Sequence, residues 1–572
     1  MLITGDGYID SPLVGVAVIG KILLNAGYRV GIIAQPGKES GDDISRLGEP
    51  RLFWGVTGGC IDSMVANYTA SGRKRKRDDY TPGGVNDRRP DRASIVYSNL
   101  IKTHFKKTRP IVLGGIEASL RRIAHYDFWS DTIRRSILFD AKADYLLYGM
   151  ADRSVVELAA CLKAGGDPRE IRGICYASPT TIEGCLELPS FEDAVRDKGA
   201  FTEMFRLFYS NNDPVTALPL AQKQDNRYLI QTPPAYALSV GELDAIHDLG
   251  YERELHPYCR KQGDVKALET IVFAITTHRG CYGECNFCAI TVHQGRKVTW
   301  RSRKSILGEA RAFARHPRFK GNIQDVGGPT ANMYGIECAR KEKQGCCENK
   351  RCLFPKICSG LTIDHGQQIS LLKALRAVNG VKKVFIASGI RHDLILADKK
   401  HGIDYLKQVI RHHVSGQMKI APEHSEARVL RKMGKSGRDT LLTFRELFFD
   451  LAKRAKKKLF LTYYLIAAHP GCTDDDMALL RSFAIGSLQS LPEQVQIFTP
   501  TPSTWSTLMY WTQRDPFTGK ACFVEKTHRG RERQKDILAD HRTTNRQTKQ
   551  LGAKTRGTHS HPNHQPKSRN RI

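Results

Sequence analysis

The sequence predicts an α/β chain in which an open, doubly wound, Rossmann-like unit precedes a second run of strands and helices. Three observations carry this. Short β-branched and aromatic runs alternate with helical stretches along most of the 572 residues, the pattern of parallel strands joined by crossover helices. A cysteine-rich loop sits just after the alternation restarts near residue 266. Beyond residue 525 apolar residues thin out and basic ones take over. The expected division is therefore 1–265, then 266–525 with a C-terminal extension, then 526–572 as a basic tail lacking the apolar content to pack.

In the first unit, strands are expected at 1–4 and 29–33 around an apolar helical stretch at 13–26, with further strands at 51–56, 110–113 and 145–148. In the second, residues 269–277 read as a strand by β-branched and aromatic content. Residues 300–315 follow as a helix, since Ser305, Ile306, Glu309, Ala310 and Phe313 fall on one helical face. Strands are then expected at 322–328, 382–389, 417–421, 458–466 and 494–498, with helices near 369–379, 440–457 and 474–488 between them.

Between the first strand and first helix of that unit lies Cys281-Tyr282-Gly283-Glu284-Cys285-Asn286-Phe287-Cys288. Three thiolates so close together suit an iron–sulfur centre with one iron left open, and that open corner usually takes a reactant. Zinc is the rival, although structural zinc takes four ligands, commonly as two separated pairs. The expected strand ends are also unusually polar. Gly327-Gly328-Pro329 ends the second strand, and paired glycines let a backbone approach a ligand closely. Ser388, Gly389 and Arg391 end the third, and Lys419 and Glu423 lie on the fourth, offering groups suited to a carboxylate or ribose.

The motif C-x3-C-x2-C, with the aromatic Phe287 before its last cysteine, resembles the signature of radical S-adenosylmethionine enzymes. Longer runs narrow the resemblance. Tyr80-Thr81-Pro82-Gly83-Gly84, Gly114-Gly115-Ile116-Glu117-Ala118-Ser119-Leu120, His125-Tyr126-Asp127-Phe128-Trp129, Lys419-Ile420-Ala421-Pro422-Glu423-His424 and Ala468-His469-Pro470-Gly471 are similar to the YgiQ-type family of that superfamily. The resemblance covers about residues 6–524. It implies that the second unit is a partial (β/α)6 barrel with its chemistry at the carboxyl ends of the strands. It implies a [4Fe-4S] cluster on Cys281, Cys285 and Cys288, and S-adenosylmethionine held by Phe287, Gly327, Gly328, Pro329, Ser388, Gly389, Arg391, Lys419 and Glu423. Reductive cleavage to a 5′-deoxyadenosyl radical would then need an electron donor such as flavodoxin or ferredoxin. No substrate comes with the resemblance. The run Asp10-Ser11-Pro12-Leu13-Val14-Gly15 is similar to the Asp-x-His-x-x-Gly pattern of cobalamin-binding domains, but Pro12 replaces the ligating histidine, so cobalamin is not expected.

A second cysteine group, Cys338, Cys346, Cys347, Cys352 and Cys358, falls in a charged segment poor in apolar periodicity. Cys338, Cys347, Cys352 and Cys358 would suffice for zinc or an auxiliary iron–sulfur cluster; the alternative is reduced free thiols. The other cysteines are scattered and follow no secretory segment, which points to a reducing, cytoplasmic setting. No apolar run reaches the roughly 20 residues of a membrane span. The net charge of +29 includes a basic run at 73–77 and a tail at 541–572 with eight Lys or Arg and no acid. Solvated charge accounts for both, and nonspecific contact with RNA phosphates is the alternative.

Overall fold

The computed structural model describes residues 1–492 and 495–539. Five short parallel strands, β1 (Leu2–Thr4), β2 (Ile32–Ala34), β3 (Trp54–Thr57), β4 (Ile111–Leu113) and β5 (Tyr145–Leu147), pair in the order β2-β1-β3-β4-β5. This is the flavodoxin-like winding, which places a crevice at the carboxyl ends of β1 and β3, where the strand order reverses. The helix Gly15–Asn25 buries Val16, Ala17, Val18, Ile22 and Leu23.

The sheet continues beyond the expected unit. Strands β6 (Ile174–Ser178), β7 (Leu186–Leu188), β8 (Leu220–Gln224) and β9 (Arg227–Gln231) extend it to nine, in the order β5-β6-β9-β8-β7. The pairings β5–β6, β6–β9 and β9–β8 are antiparallel. Buried glutamines break the hydrophobic pattern of β8 and β9. Gln222 accepts from Ala124 N at 2.9 Å, Gln224 from Ser136 N at 2.9 Å and Gln231 from Arg122 Nε at 2.9 Å, so each side-chain oxygen is paired inside the core.

The second unit is an arc of parallel strands in chain order: β10 (Ala274–Thr276), the two-piece position β11 (Asn322–Ile323) and β12 (Asp325–Gly327), β13 (Lys383–Val384), β14 (Gln417–Glu423), β15 (Phe460–Ala467) and β16 (Val495–Ile497). The bridge between Ile390 and Ile420 joins the third position to the fourth. Helix Arg303–Arg315 is N-capped by Ser302, whose hydroxyl accepts from Ser305 N at 3.1 Å. It buries the five residues named from the pattern, Ile306 and Phe313 each contributing about 1.5–3 kcal/mol. Its Glu309 ion-pairs with Arg253 and Arg301, tying the first unit to this helix.

Two expectations are corrected. The stretch 269–277 is not one strand: Ala267–Ile271 is a helical turn, with Thr270 Oγ1 bonding back to Ala267 O at 2.9 Å, and β10 follows it. The described part of the expected tail is helical and packed. His528–Leu538 is a helix capped by Thr527, burying Gln534 and Leu538, and Gln534 accepts from Ala468 N at 2.9 Å and donates to Cys472 O at 3.0 Å. The basic residues of 541–572 lie outside the described residues.

Burial crosses from one unit to the other. Leu2, Ile9 and Val14 share a cluster with Ile275, Val326 and Ile420. Conversely, Phe498, Leu508 and Tyr510 share one with Tyr97, Ile111 and Leu146.

Candidate functional site

The three-cysteine loop leaves the sheet beyond β10 and is pinned at its base. His278 and Arg279 pair antiparallel with Thr299 and Trp300. Gly280 turns the chain at φ +80°, and a Cβ there would lie 2.0 Å from Lys297 O, so only glycine fits. Farther along, Asn286 N donates to Met433 O at 2.9 Å and Asn286 Nδ2 to Lys432 O at 2.7 Å, which fixes the loop against the helix Ala427–Met433. Buried Glu284 ion-pairs with Lys341 at 3.6 Å and Arg296 at 3.8 Å.

The sulfurs are held by donors rather than by one another. Cys281 Sγ accepts from Gly283 N at 3.3 Å and lies 3.6 Å from Thr330 Oγ1, and Cys285 Sγ accepts from Arg391 Nη1 at 3.7 Å. Burial pushes the Cys288 thiol up to about 12, with the neighbouring Cys285 adding to the effect. Burial and Cys285 likewise raise Cys281, while Gly283 N–H, Thr330 and Arg391 pull it back. A cationic centre would favour the ionised form of both raised thiols, Cys281 and Cys288. Among the described residues no three of His, Cys, Asp and Glu converge as one metal ion requires. Three closely spaced thiols on one loop are a donor set that suits a cluster of several irons.

The Gly327-Gly328-Pro329 turn lies against this loop. Gly327 O accepts from Thr277 N at 2.7 Å and from Thr277 Oγ1 at 3.1 Å. A Cβ on Gly328 would lie 2.6 Å from the His278 ring, so the bare backbone is what allows this contact. Asn332, five residues beyond Gly327, clamps Arg391: its Oδ1 accepts from Arg391 N at 2.8 Å and its Nδ2 donates to Arg391 O at 3.0 Å. Behind it, His365 Nε2 lies 3.3 Å from Asn332 Nδ2, and His365 Nδ1 lies 2.8 Å from Asp398. The Arg391 guanidinium is gripped by Asp393, from Nε at 2.9 Å and from Nη2. Burial works against its charge, yet Asp393 and the facing cysteines hold it protonated well above the usual arginine range.

Most sequence-expected residues gather here. Ser388 N donates to Asp325 Oδ1 at 3.1 Å, and Gly389 O accepts from Ala331 N at 3.0 Å. Phe287 stands edge-on to His469 with centroids 6.3 Å apart. Glu423 is buried at φ +69°, and burial raises its carboxyl against the pull of Lys435 at 3.6 Å. Lys419 is the exception: its side chain is exposed, and its carbonyl meets the third strand position, accepting from Ile390 N at 3.2 Å. Thr330 and Asn332 continue the glycine-turn run, but nothing in the sequence gives them, or His365, Asp393 and Asp398, a role of their own. They sit in turns and short helices, where no periodicity marks them.

The second cysteine group does not close into a site. Cys338 and Cys352 are buried together with Tyr282 and Ile336, while Cys347 and Cys358 are half-exposed. Cys346, rather than Cys347, turns inward, its N donating to Asp213 at 3.1 Å. The Lys341 ammonium lies against Cys346 and Cys352 and donates to Arg296 O at 2.7 Å. A buried cation in that position is what a metal ion would have to displace.

Beside the loop, between the carboxyl ends of the nine-stranded sheet and the ends of β10 and β12, lies a cavity of about 490 Å³. Thr4, Thr57 and Gly114 line it from one side and His278, Gly328 and Ser388 from the other.

A UPF0313 protein of Fusobacterium nucleatum is 54% identical over 95% of this chain and 96% of its own length. The chain belongs to the UPF0313, YgiQ-type radical S-adenosylmethionine family. A UPF0313 relative from Thermotoga petrophila is 47% identical over 94% of each chain. The family model described as "Radical SAM N-terminal" matches residues 1–274 of this family member. Among solved structures, the radical S-adenosylmethionine methyltransferase TsrM of Kitasatospora setae, with cobalamin and a [4Fe-4S] cluster bound, superposes with a TM-score of 0.50 at 13% identity. It covers 88% of this chain and 76% of that one, a likeness of α/β fold. Among the described residues no helix is long and apolar enough to cross a membrane.

Proposed function

We propose that this UPF0313 chain is a radical enzyme that cleaves S-adenosylmethionine reductively on a [4Fe-4S] cluster held by Cys281, Cys285 and Cys288. The observation that carries the reading is the set of three half-buried cysteines on one loop, Cys281 braced by Thr330 and Gly283 N–H and Cys285 by Arg391, beside a glycine turn, with no fourth protein thiolate in the loop. When bound, such a cluster passes one electron to the sulfonium, which splits into methionine and a 5′-deoxyadenosyl radical.

The chain's own part is to bind and orient. Gly327, Gly328 and Pro329 present bare backbone to the amino group of S-adenosylmethionine, and Ser388 and Gly389 face its carboxylate and ribose. Arg391 neutralises thiolate charge, and Phe287 shields the last cysteine from water. Glu423 closes the fourth strand end in this reading; exposed Lys419 has no part in it. The arc β10 to β16 acts as a partial barrel over 266–525, set against the amino-terminal unit at 1–265. The electron comes from a donor such as flavodoxin or ferredoxin, in the cytoplasm.

Cobalamin, named for the TsrM structure, is not carried over, because Pro12 lies on the cavity wall in the loop where an imidazole would be needed. Nor is a second metal centre, given the ammonium of Lys341 between Cys346 and Cys352. An RNA-modifying reading rests on basicity alone, chiefly the exposed run at 73–77.

Electron paramagnetic resonance of the reduced, reconstituted protein tests the proposal. Adding S-adenosylmethionine should change the cluster signal, since it binds the open iron. A four-iron signal indifferent to a saturating excess would refute it.

A further inference from the structure

Against the cysteine loop packs a surface patch that the cleavage chemistry does not use. Residues 514–521 form a tight hairpin, closed by Asp515 N donating to Lys520 O at 2.8 Å and by a bridge between Arg514 and Ala521. Phe517 stands in its turn, 52% exposed, with its ring 4.9 Å from that of Trp505. Four cations belong to this turn. The Arg351 guanidinium lies over the Phe517 ring at 5.2 Å, Arg206 donates to Pro516 O, and Arg514 and Lys520 flank the turn in the chain. None of the four is spent on a carboxylate. Arg206, Arg351 and Arg514 donate to neutral oxygens of Pro516, Asn286 and Gly519, and exposed Lys520 has no ion pair among the described residues. The one acid of the hairpin, Asp515, is held by Lys432 at 3.0 Å.

A lone exposed aromatic is ordinary, and so is a single surface cation. An aromatic anchor inside a rim of unpaired positive charge is the make-up of a docking site for an acidic partner, in which the ring supplies contact and the charges steer the encounter. The place of the patch says which acidic partner. Arg351 Nη1 donates to Asn286 Oδ1 at 2.6 Å and to Glu284 O at 3.2 Å, the residues on either side of Cys285. Ser506 N, next in the chain to Trp505, donates to Asn286 O at 2.9 Å. From the Phe517 ring to the backbone around Cys285 the route is therefore one cation–π contact and one hydrogen bond. A nucleic acid gains nothing from that closeness. A carrier delivering an electron needs it, because electron transfer weakens steeply with distance.

We infer that the Phe517 hairpin, Arg206 and Arg351 form the docking site of a small acidic one-electron carrier protein, which feeds the cluster beside Cys285. The inference rests on the radical-enzyme reading for the presence of that cluster. In the step itself the carrier is oxidised by one electron and the cluster reduced by one, and no bond forms or breaks.

The test is surface plasmon resonance of the cluster-loaded full chain over two immobilised acidic carriers, a flavodoxin and a plant-type [2Fe-2S] ferredoxin, with no S-adenosylmethionine or reductant present. Binding to at least one is expected, with an association rate that falls roughly tenfold between about 0.05 and about 0.3 M NaCl as salt screens the charges. The double variant Arg514→Glu, Lys520→Glu should bind at least about tenfold more weakly at low salt and lose most of that salt dependence. Phe517→Ala should instead keep the salt dependence and dissociate about tenfold faster. Stopped-flow mixing of reduced, desalted protein with the oxidised carrier gives a second readout. Both variants should pass their electron about tenfold more slowly than wild type, yet reduce benzyl viologen, which needs no docking, at the wild-type rate. Cluster absorbance and the viologen rate serve as controls for folding and loading.

Equal carrier binding by wild type and both variants would overturn the proposal, as would binding to neither carrier. Retention on polyuridylic acid that the double variant loses, with no carrier bound, would overturn it in favour of a nucleic-acid surface. Dithionite needs no docking site, so cleavage of S-adenosylmethionine driven by it should match wild type in both variants. Failure of docking thus leaves the radical-enzyme reading standing, and failure of cleavage in cluster-loaded protein leaves the carrier binding unaffected.

Discussion

Arg391 Nη1 donates to the Cys285 sulfur across 3.7 Å, while Asp393 holds the rest of the same guanidinium. One planar cation therefore links a buried carboxylate to a loop cysteine sulfur. Asn332 fixes its backbone and is backed in turn by His365 and Asp398. The glycine turn, the third strand end and the cysteine loop are thereby held as one body.

Replacing that cation should change redox behaviour before it changes assembly. Arg391→Gln is expected to keep about the wild-type iron content but to lower the cluster's reduction potential, because a positive hydrogen-bond donor to sulfur stabilises the reduced state. Cleavage of S-adenosylmethionine should fall about 10–100-fold, the usual cost of removing such outer support. A redox titration followed by electron paramagnetic resonance reads the shift.

The two cysteine groups should separate cleanly. Cys285→Ser is expected to abolish stable cluster assembly and cleavage. Cys352→Ser, in an apolar cluster beside Lys341, should cost about 1–2 kcal/mol of stability and leave iron per chain unchanged. Iron and zinc analysis of both variants decides; a fall in metal for Cys352→Ser would argue for a second centre.

How much of this was legible beforehand follows from the kind of signal each part leaves. The three loop cysteines and the helix Arg303–Arg315 were legible because spacing alone encodes them. Strands β8 and β9 were not, because Gln222, Gln224 and Gln231 break their apolar pattern and enter the core through hydrogen bonds, while β6 and β7 are only five and three residues long. The glycine turn could be read, whereas Asn332, His365 and Asp398 acquire their roles only when distant segments meet. Lys419 shows the opposite error: a charged residue on the right strand, four positions before Glu423, that remains exposed.

Stability should fall on mild acidification. Burial depresses His125, His278, His293, His392, His413 and His424 to about 4 and His469 to about 3, so the folded chain stays neutral at these sites where the unfolded chain would bind protons. Between about pH 6.5 and 4 the unfolded state thus takes up more protons, and stability rises with pH through that window. The contribution is fully present above about pH 6.5 and lost as pH falls towards 4. Melting followed by circular dichroism at pH 7.5, 6 and 5 should show a progressive drop in Tm; a flat profile would contradict the burial of these rings.

Truncation should show what the helix His528–Leu538 contributes to stability. Removing 541–572 is expected to leave Tm and S-adenosylmethionine cleavage near wild type. Removing 527–572 should destabilise by several kcal/mol, because Gln534 is then lost from the Ala468 N–H and the Cys472 carbonyl. Thermal melts of the two truncations check this.

The most direct test of the central claim is the product of reductive cleavage. Anaerobically reconstituted protein, given dithionite and S-adenosylmethionine with no added substrate, should release 5′-deoxyadenosine slowly, detected by liquid chromatography and mass spectrometry, and Cys285→Ser should release none. An intact four-iron protein that yields no 5′-deoxyadenosine above the Cys285→Ser background would contradict the account.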